Sequence, residues 1–255
     1  MSKSKLNVVI TAGGTSEYID KVRKITNSSS GLLGAITADQ LAEHDEIEHI
    51  FYICSQKAIT PEDENNKISI IRIVNTNDLK NAVTDVLTKH HIDWFVHSMA
   101  VSDYYVDAVT TAEMLAKDIT THGNPEHFIK NPLTRLDNSD KLSSYNDNMV
   151  LILKQTPKVI SIIKELSPDT KLIGFKLLDG VTDEELLSVA KKLMDKNKCD
   201  YVIANDLKKI SQHSHTAFLL NANNQYTTLH TKMGIANAIE NVITDGEVSY
   251  ETELT

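Results

Sequence analysis

Two clusters of small and polar residues near the amino terminus have the composition of phosphate-binding loops. The first, residues 11–15, reads TAGGT and follows a short apolar run. Paired glycines let backbone N–H groups approach a bound anion closely. The second, residues 27–31, reads NSSSG and directly precedes apolar residues at helical spacing. A helix start has free N–H groups and the positive end of the helix dipole, so we expect a hydroxyl or amide cap and an anion site there.

Polar residues also follow two other apolar segments that are typical of strands. Ser102 and Asp103 come after one of these segments, and Asn205 and Asp206 come directly after another. Sites in doubly wound proteins lie at the carboxyl ends of the strands, where these residues would be placed. The Asp103 carboxylate could cap a short helix, or it could bind Mg²⁺ or a ligand hydroxyl group. The same alternatives apply to Asn205 and Asp206.

Three lysines are candidates for holding phosphate groups. Lys141 lies in a weakly patterned segment, Lys154 ends an apolar strand, and Lys176 interrupts the apolar run GFKLL. Each could instead be an ordinary surface lysine, and Lys176 would then be the solvent-facing residue of an edge strand. His97 lies within an apolar strand, and we interpret it as a core histidine rather than a catalyst.

Segments typical of strands and helices alternate along most of the chain. Strand-like runs lie at residues 8–10, 49–54, 68–74, 92–98, 149–154, 171–178 and 201–204, and helical spacing of apolar residues lies at 32–43, 76–90, 156–166, 182–196 and 232–242. This alternation predicts an α/β fold with a Rossmann-like, doubly wound, mainly parallel sheet. A hairpin-like pair at 216–220 and 225–230 predicts a late β extension. We interpret residues 1–255 as a single domain.

The chain loses its regular pattern between residues 107 and 140. Threonine, histidine, asparagine and proline cluster there, with one short helical patch around residues 112–117. A weakly patterned segment of this length is either disordered or a functional lid. We favour a mobile lid over residues 107–148, which would carry Lys141.

The composition of the 255-residue chain narrows the class of protein. Hydrophobic residues make up 41% and charged residues 24%, which is ordinary for a globular protein. The net charge of −9 disfavours nucleic acid or a membrane as the main partner. Cys54 and Cys199 are interpreted as buried, reduced thiols. Because no apolar run has the length of a signal peptide or membrane helix, we expect a cytoplasmic protein.

Taken in order, these motifs resemble phosphopantothenoylcysteine synthetase (phosphopantothenate–cysteine ligase), particularly its stand-alone bacterial form. The resemblance spans about four-fifths of the chain. It rests on residues 10–15 (ITAGGT), 22–31 (VRKITNSSSG), 100–104 (AVSDY), 140–144 (DKLSS), 153–157 (LKQTP), 174–177 (GFKL) and 204–206 (AND). The first two motifs together are quite specific, whereas the others gain weight only as a series.

The resemblance implies a reaction in which CTP or ATP, with Mg²⁺, activates the carboxylate of phosphopantothenate as an acyl nucleotide that cysteine then attacks. It implies a homodimer, and catalytic and substrate-binding roles for Asn27 and Lys141. Lys154 is a further candidate for substrate binding, and Asp103 is the candidate for a magnesium contact. The nucleotide-binding candidates are Gly13, Gly14, Thr15, Ser29, Ser30, Gly31, Ala100, Ser102, Asp103, Phe175, Lys176 and Asn205.

Two other classes of protein are weighed against the ligase. A nicotinamide-dependent oxidoreductase is disfavoured because the G-x-G-x-x-G pattern is missing and no acidic residue ends the second strand. A non-catalytic, nucleotide-binding regulatory paralogue would keep the fold without turnover. The presence of Asn27, Asp103 and Lys141 in one chain favours the enzyme. A turnover assay distinguishes the ligase from the regulatory paralogue.

Overall fold

The computed structural model describes residues 5–62, 66–211, 214–244, 248–250 and 252–253. The strands are β1 (Leu6–Ala12), β2 (Ser16–Tyr18), β3 (Lys24–Thr26), β4 (Ile47–Ser55), β5 (Ile68–Ile73), β6 (Trp94–His97), β7 (Tyr104–Thr111), β8 (Met149–Gln155), β9 (Lys171–Leu178), β10 (Tyr201–Ile210), β11 (His215–Asn221), β12 (Gln225–Leu229) and β13 (Thr252–Glu253). The helices are α1 (Leu32–Ala42), α2 (Thr76–Lys89), α3 (Ala112–His122), α4 (Pro125–Lys130), α5 (Val159–Leu166), α6 (Asp183–Asn197) and α7 (Lys232–Thr244).

A nine-stranded sheet organises the molecule, in the order β13-β12-β11-β10-β9-β6-β1-β4-β5. The six strands from β10 to β5 are parallel, and β11, β12 and β13 add antiparallel pairs. Numbered in chain order, the parallel strands follow the 3-2-1-4-5-6 order of the doubly wound fold, which reverses direction between β1 and β6. The predicted Rossmann-like sheet and its late β extension are confirmed.

Helices cover both faces of this sheet and enclose two apolar cores. Val8 and Ile10 of β1 face the core beneath α1 and α7, whereas Val9 faces the core beneath α2, α5 and α6. Burial on both faces explains why the parallel strands are almost continuously apolar. Cys54 and Cys199 are buried free thiols, as predicted, and burial raises the pKa of Cys199 to about 12. Within the described ranges, no helix combines the length and apolarity needed to cross a membrane.

Residues 104–155 leave the main sheet and form an arm. Its strands β7 and β8 pair with each other in a separate antiparallel ribbon, and α3 and α4 lie between them in the chain. Strand β7 and helices α3 and α4 give residues 107–130 more regular structure than their sequence pattern indicates, and a mobile lid over residues 107–148 stays a prediction. The hydroxyl group of Thr111 caps α3, an ordinary helix start. Irregular backbone within the arm lies at residues 131–148 and at the short link 123–124.

Two further expectations about strands need correction. β9 lies between β6 and β10, so Lys176 is not on an edge strand. β10 continues to Ile210, so Asn205 and Asp206 lie within a strand and do not follow its end. The antiparallel pairing of Asn205 with Ala217 of β11 extends the ladder past the apolar segment. The other predicted strands and helices are present, with ends shifted by at most three residues except at α3, which ends five residues beyond the expected helical patch.

Candidate functional site

The loops after β1 and β6 are hydrogen-bonded to each other where the sheet order reverses. The Ala100 N–H donates to the Gly13 carbonyl (2.9 Å), and the Thr15 N–H donates to the Ala100 carbonyl (3.1 Å). Gly14 and Ala100 form an isolated parallel bridge. The structure thus brings these four candidate residues together at the switch point, which is the usual ligand position in doubly wound sheets.

Thr15 joins three segments around this point, and its side chain is fully buried. Its hydroxyl oxygen accepts the Ser102 N–H (2.8 Å), and its carbonyl accepts the Asn27 N–H (3.2 Å). The Ser102 hydroxyl group in turn donates to the Tyr104 carbonyl (2.8 Å). The polar groups of Thr15 and Ser102 are therefore occupied in holding loops together, which is a positioning task rather than direct contact with a ligand.

The glycine pair allows the Asn27 loop to lie directly on the loop after β1. A β-carbon at Gly14 would lie 1.9 Å from the Asn27 carbonyl oxygen. At Gly13, where φ is +84°, it would lie 2.3 Å from Ser55 Oγ. Only glycine fits either position, which is the close backbone approach that the TAGGT motif predicts.

A cavity of about 500 Å³ opens beside Gly14 and Asn27, over the carboxyl ends of β1, β4 and β5. Two cations, Lys24 and Lys57, line it together with the hydroxyl-bearing Ser29. The cavity therefore combines positive charge and hydroxyl groups beside the two predicted loops, a combination suited to a phosphorylated ligand.

The start of α1 lies beside the same loops, but its cap differs from the expectation. Gly31, with φ of +77°, occupies the N-cap position, and no side chain caps the helix. The expected hydroxyl or amide cap is therefore wrong; Ser30 Oγ only accepts the Leu32 N–H at 3.3 Å. A β-carbon at Gly31 would lie 3.2 Å from the Gly13 nitrogen, so the two predicted loops are neighbours. A glycine cap leaves N–H groups of the first turn for an anion.

Strand alternation separates the candidates on β9 and β10 between the two faces of the sheet. Phe175 pairs in register with Ile203 and packs against the core beneath α1. Asn205 lies two residues beyond Ile203 and shares that face. Lys176 pairs in register with Ala204, which belongs to the opposite core. The structure therefore brings Phe175 and Asn205 to the face of α1 and places Lys176 on the other face.

Asn205 and its neighbour Asp206 have different surroundings. Asn205 Nδ2 lies 3.2 Å from Nε2 of His215, and burial lowers the pKa of His215. The buried Asp206 carboxylate accepts the N–H groups of Gly180 (2.8 Å) and Lys208 (3.0 Å), and these hydrogen bonds lower the pKa of Asp206. Asp206 thus holds the turn after β9. His215 was missed by sequence reasoning, because no motif points to it.

Two candidate charges are engaged in ion pairs with other residues. The exposed carboxylate of Asp103 pairs with Lys158, and Lys154 Nζ lies 2.9 Å from Asp107 Oδ2. Asp103 and Lys154 would therefore exchange these partners on binding a ligand. Among the described residues, no group of three or more histidine, cysteine, aspartate or glutamate side chains is placed to hold a metal ion.

Lys141 is exposed in the irregular part of the arm, and the residue that follows it is anchored. The backbone N–H of the buried Leu142 donates to Asp20 Oδ2 (3.0 Å), and its carbonyl accepts from Arg23 Nη2 (2.9 Å). Asp20 and Arg23 lie between β2 and β3, and Asn27 directly follows β3. Sequence reasoning included Arg23 in a motif but gave neither residue a role.

His97, at the end of β6, is the core histidine that its apolar strand predicts. It is 7% exposed, and its Nδ1 lies 2.9 Å from the hydroxyl oxygen of Thr11. Burial lowers the pKa of His97 to about 4. The imidazole is therefore neutral at neutral pH.

We expect this histidine to make the protein less stable in mild acid. Between pH 6.5 and about 4 the unfolded chain binds a proton at His97 that the folded protein does not. The free energy of unfolding should therefore fall by about 1.4 kcal/mol per pH unit in this interval because of this group, with no contribution above it. Urea unfolding of the wild type and His97→Asn at pH 7, 5.5 and 4.5 measures the difference in slope. Equal slopes would contradict the assignment.

A doubly wound sheet with glycine- and serine-rich loops meeting at its switch point defines a Rossmann-like α/β protein with a ligand site at the carboxyl edge of the sheet. Comparison of the sequence with family models places it more narrowly. The chain belongs to the DNA/pantothenate metabolism flavoprotein C-terminal domain family, whose model matches residues 3–126 and 134–246. The predicted resemblance is thereby confirmed.

Relatives of known name agree with this placement. The Coenzyme A biosynthesis bifunctional protein CoaBC of Thermococcus kodakarensis is 32% identical over 213 residues, which cover 84% of this chain and 44% of that protein. The protein of the same name from Methanocaldococcus jannaschii is 27% identical over 218 residues, 82% of this chain and 42% of that protein. The chain therefore spans less than half the length of these relatives.

Solved structures show the same architecture. The DNA/pantothenate metabolism flavoprotein from Streptococcus pneumoniae is 37% identical, with a TM-score of 0.82 over 95% of this chain and 100% of that chain. A mutant of Cab2 in complex with phosphopantothenate-cysteine is 15% identical, with a TM-score of 0.62 over 94% of this chain and 88% of that chain. At that identity the likeness extends to the fold alone.

Proposed function

We propose that this protein is a ligase of coenzyme A biosynthesis that joins phosphopantothenate to cysteine at the expense of a nucleoside triphosphate. The observation that carries the proposal is the contact between Gly14 and the Asn27 backbone at the switch point, beside a cavity with two lysines. The family placement and the names of the CoaBC relatives support the same reaction.

The proposed reaction has two steps. In the first, a carboxylate oxygen of phosphopantothenate attacks the α-phosphorus of CTP or ATP, and the bond from that phosphorus to pyrophosphate breaks. In the second, the amine nitrogen of cysteine attacks the acyl carbon and loses a proton, and the nucleoside monophosphate leaves with the carboxyl oxygen. The attacking groups belong to the substrates, so the protein needs to supply orientation and charge stabilisation rather than a nucleophile.

The residues around the cavity would bind the phosphorylated substrate. Lys24 and Lys57 provide positive charge, and Ser29 provides a hydroxyl group for phosphate oxygens. The half-buried Asn27 lies at the junction of this cavity and the switch point, where its amide can hydrogen-bond the activated carboxyl group. Lys141, on the arm, would contribute a positive charge that stabilises the negative charge of the activated carboxyl group and phosphates.

The nucleotide would lie on the α1 side of the sheet. Its phosphates would face Gly13 and Gly31, which lie in the two neighbouring loops, and its base and ribose would face Phe175 and Asn205. Lys176 lies on the opposite face of the sheet and fits this placement less well. Its side chain could reach the nucleotide only around the carboxyl end of β9.

Magnesium, homodimeric assembly and a cytoplasmic location complete the proposal. Mg²⁺ is commonly held by one or two carboxylates together with substrate phosphates, and the exposed Asp103 fits that mode. Bound there, the ion would neutralise charge on the triphosphate. The homodimer and the location follow from the resemblance and from the sequence.

Pyrophosphate release tests the proposed function. The purified protein, with Mg²⁺, phosphopantothenate and cysteine, is given either CTP or ATP. We expect pyrophosphate release that depends on phosphopantothenate, with one nucleotide preferred, and nucleoside monophosphate release that depends on cysteine. Absence of phosphopantothenate-dependent release with both nucleotides would overturn the ligase, and retained nucleotide binding would then favour the regulatory paralogue.

A further inference from the structure

A buried carboxylate, Asp20, lies at the centre of a contact between the turn after β2 and the arm. It is 1% exposed. Its Oδ1 accepts the backbone N–H groups of Val22 (2.8 Å) and Arg23 (2.7 Å), and its Oδ2 accepts two bonds from the Arg23 guanidinium (2.9 and 2.6 Å). Oδ2 also accepts the Leu142 N–H at 3.0 Å. Both oxygens are thus fully engaged, and the Arg23 guanidinium keeps the pKa of Asp20 well below its usual range.

Arg23 completes the contact by binding the carbonyl group of the same residue, Leu142. Its guanidinium donates to the Leu142 carbonyl at 2.9 Å while it pairs with Asp20. We call Asp20, Arg23 and the backbone of Leu142 the clamp. Within it, both backbone polar groups of Leu142 are bound by one ion pair, whose carboxylate is buried and whose guanidinium is partly exposed. A charge-assisted arrangement of this kind is stronger and more directional than a neutral hydrogen bond.

Two weaker contacts flank the clamp. Asn138 Nδ2 donates to the Ile19 carbonyl at 3.0 Å, and Lys21 Nζ lies 3.1 Å from Asp140 Oδ1. The Lys21–Asp140 pair is exposed on both sides, so it contributes little. The irregular part of the arm that carries Lys141 is therefore held mainly through Leu142.

The clamp connects the two residues to which the proposed mechanism assigns catalysis. Lys141 directly precedes Leu142, so a fixed Leu142 places the Lys141 backbone one peptide away. Asn27 lies four residues after Arg23, at the end of β3. We propose that Asp20 is a positioning residue that holds Lys141 in place relative to the Asn27 loop. This inference rests on the proposed ligase function.

The chain offers a matched control for a substitution at Asp20. Asp118, in α3 of the arm, is also a buried carboxylate, and it accepts the backbone N–H (2.9 Å) and hydroxyl group (2.7 Å) of Thr134. Asp118 therefore ties two segments of the arm together without contacting the clamp. Asp20→Asn and Asp118→Asn make the same chemical change in similar surroundings.

Trypsin reports on the clamp independently of activity. Trypsin cleaves after lysine, and the bond after Lys141 contains the nitrogen whose hydrogen Asp20 accepts. We expect Asp20→Asn to be cleaved at this bond at least tenfold faster than the wild type, with Asp118→Asn within twofold of it. Equal rates for Asp20→Asn and the wild type would overturn the clamp whatever the activity.

Steady-state kinetics test whether the clamp acts through Lys141. Asp20→Asn should lower kcat for pyrophosphate release at least tenfold and change the KM for nucleotide less than threefold. Combined with Lys141→Gln it should cost less than a further twofold, since the lysine it positions is gone. Full additivity, or an unchanged kcat with fast cleavage, would overturn the positioning role. An inactive wild type would overturn the proposed function instead, while the cleavage rates still decide the clamp.

If Asp20→Asn fails to fold, as judged by its thermal unfolding, Arg23→Lys replaces it. Lysine keeps the positive charge but lacks the planar fork that reaches Asp20 and the Leu142 carbonyl together. The same two measurements apply, and the expected changes are in the same directions. Wild-type cleavage and kcat in this variant would overturn the proposal.

Discussion

Lys141→Gln should lower the rate of phosphopantothenate-dependent pyrophosphate release about a hundredfold while leaving the thermal unfolding temperature unchanged. A donor that stabilises charge developing in a transition state contributes about 3 kcal/mol. Lys141 is exposed, and in the part of the chain that the structure describes its ammonium group has no ion-pair partner. Its loss should therefore affect chemistry rather than folding. Measurement of kcat with all substrates saturating, and of the thermal unfolding temperature of the same preparation, separates the two effects.

Lys130→Gln is the matched control for this experiment. Lys130 is an exposed lysine of the same arm, paired with Glu126 one helical turn away. Such a pair contributes at most a few tenths of a kcal/mol, so kcat should stay within twofold of the wild type. If Lys141→Gln behaved like this control, Lys141 would have no catalytic role, and positioning it by the clamp would not affect turnover.

The main sheet could be predicted from the sequence because its signals are local. Parallel strands buried on both faces are almost continuously apolar, so segments such as 8–10 stand out without knowledge of their neighbours. Gly14 and Asn27, which are in contact, are also close to each other along the chain. Two glycines after a strand and a polar cluster before a helix indicate close backbone approach by themselves, and the structure places them together.

The sequence predicts β8 and part of α3, but not strand β7 or the pairing that forms the arm, because these depend on distant partners. Strand β7 is half-exposed along much of its length and is completed by β8, almost forty residues away along the chain. The contact between Asp20 and Leu142 spans 122 residues. An aspartate in a turn is ordinary, and only the fold shows that its carboxylate binds a remote backbone.

At the site itself, residue types were easier to predict than the tasks of the side chains. Thr15 and Ser102 follow strands as expected, and Asp206 lies within β10, but the side chains of all three bond to neighbouring protein groups. A hydroxyl group or carboxylate can bind a ligand or a loop equally well. Sequence position alone does not distinguish these uses, whereas the hydrogen-bond partners do.

Gly14→Ala should abolish measurable turnover, with a loss well above a hundredfold, and should also destabilise the fold. The added β-carbon would lie 1.9 Å from the Asn27 carbonyl oxygen and 2.9 Å from its carbon. One of the two loops must therefore shift, and a misplacement of about 1 Å at a catalytic group costs about a hundredfold in rate. Forcing an extra methyl group into a packed site costs a further 1–3 kcal/mol or so of stability. Pyrophosphate release and urea unfolding of the same preparation measure both effects.

Gly234→Ala makes the same chemical change where there is room for it. Gly234 lies in α7, and its added β-carbon would meet only the Thr231 hydroxyl oxygen, at 3.2 Å. Alanine is favoured over glycine in a helix by about 1 kcal/mol, so this variant should retain wild-type turnover and lose no more than a few tenths of a kcal/mol. If Gly14→Ala retained turnover as well, the Asn27 loop would tolerate displacement. Fixed backbone contact at the switch point would then not be what prepares the site for catalysis.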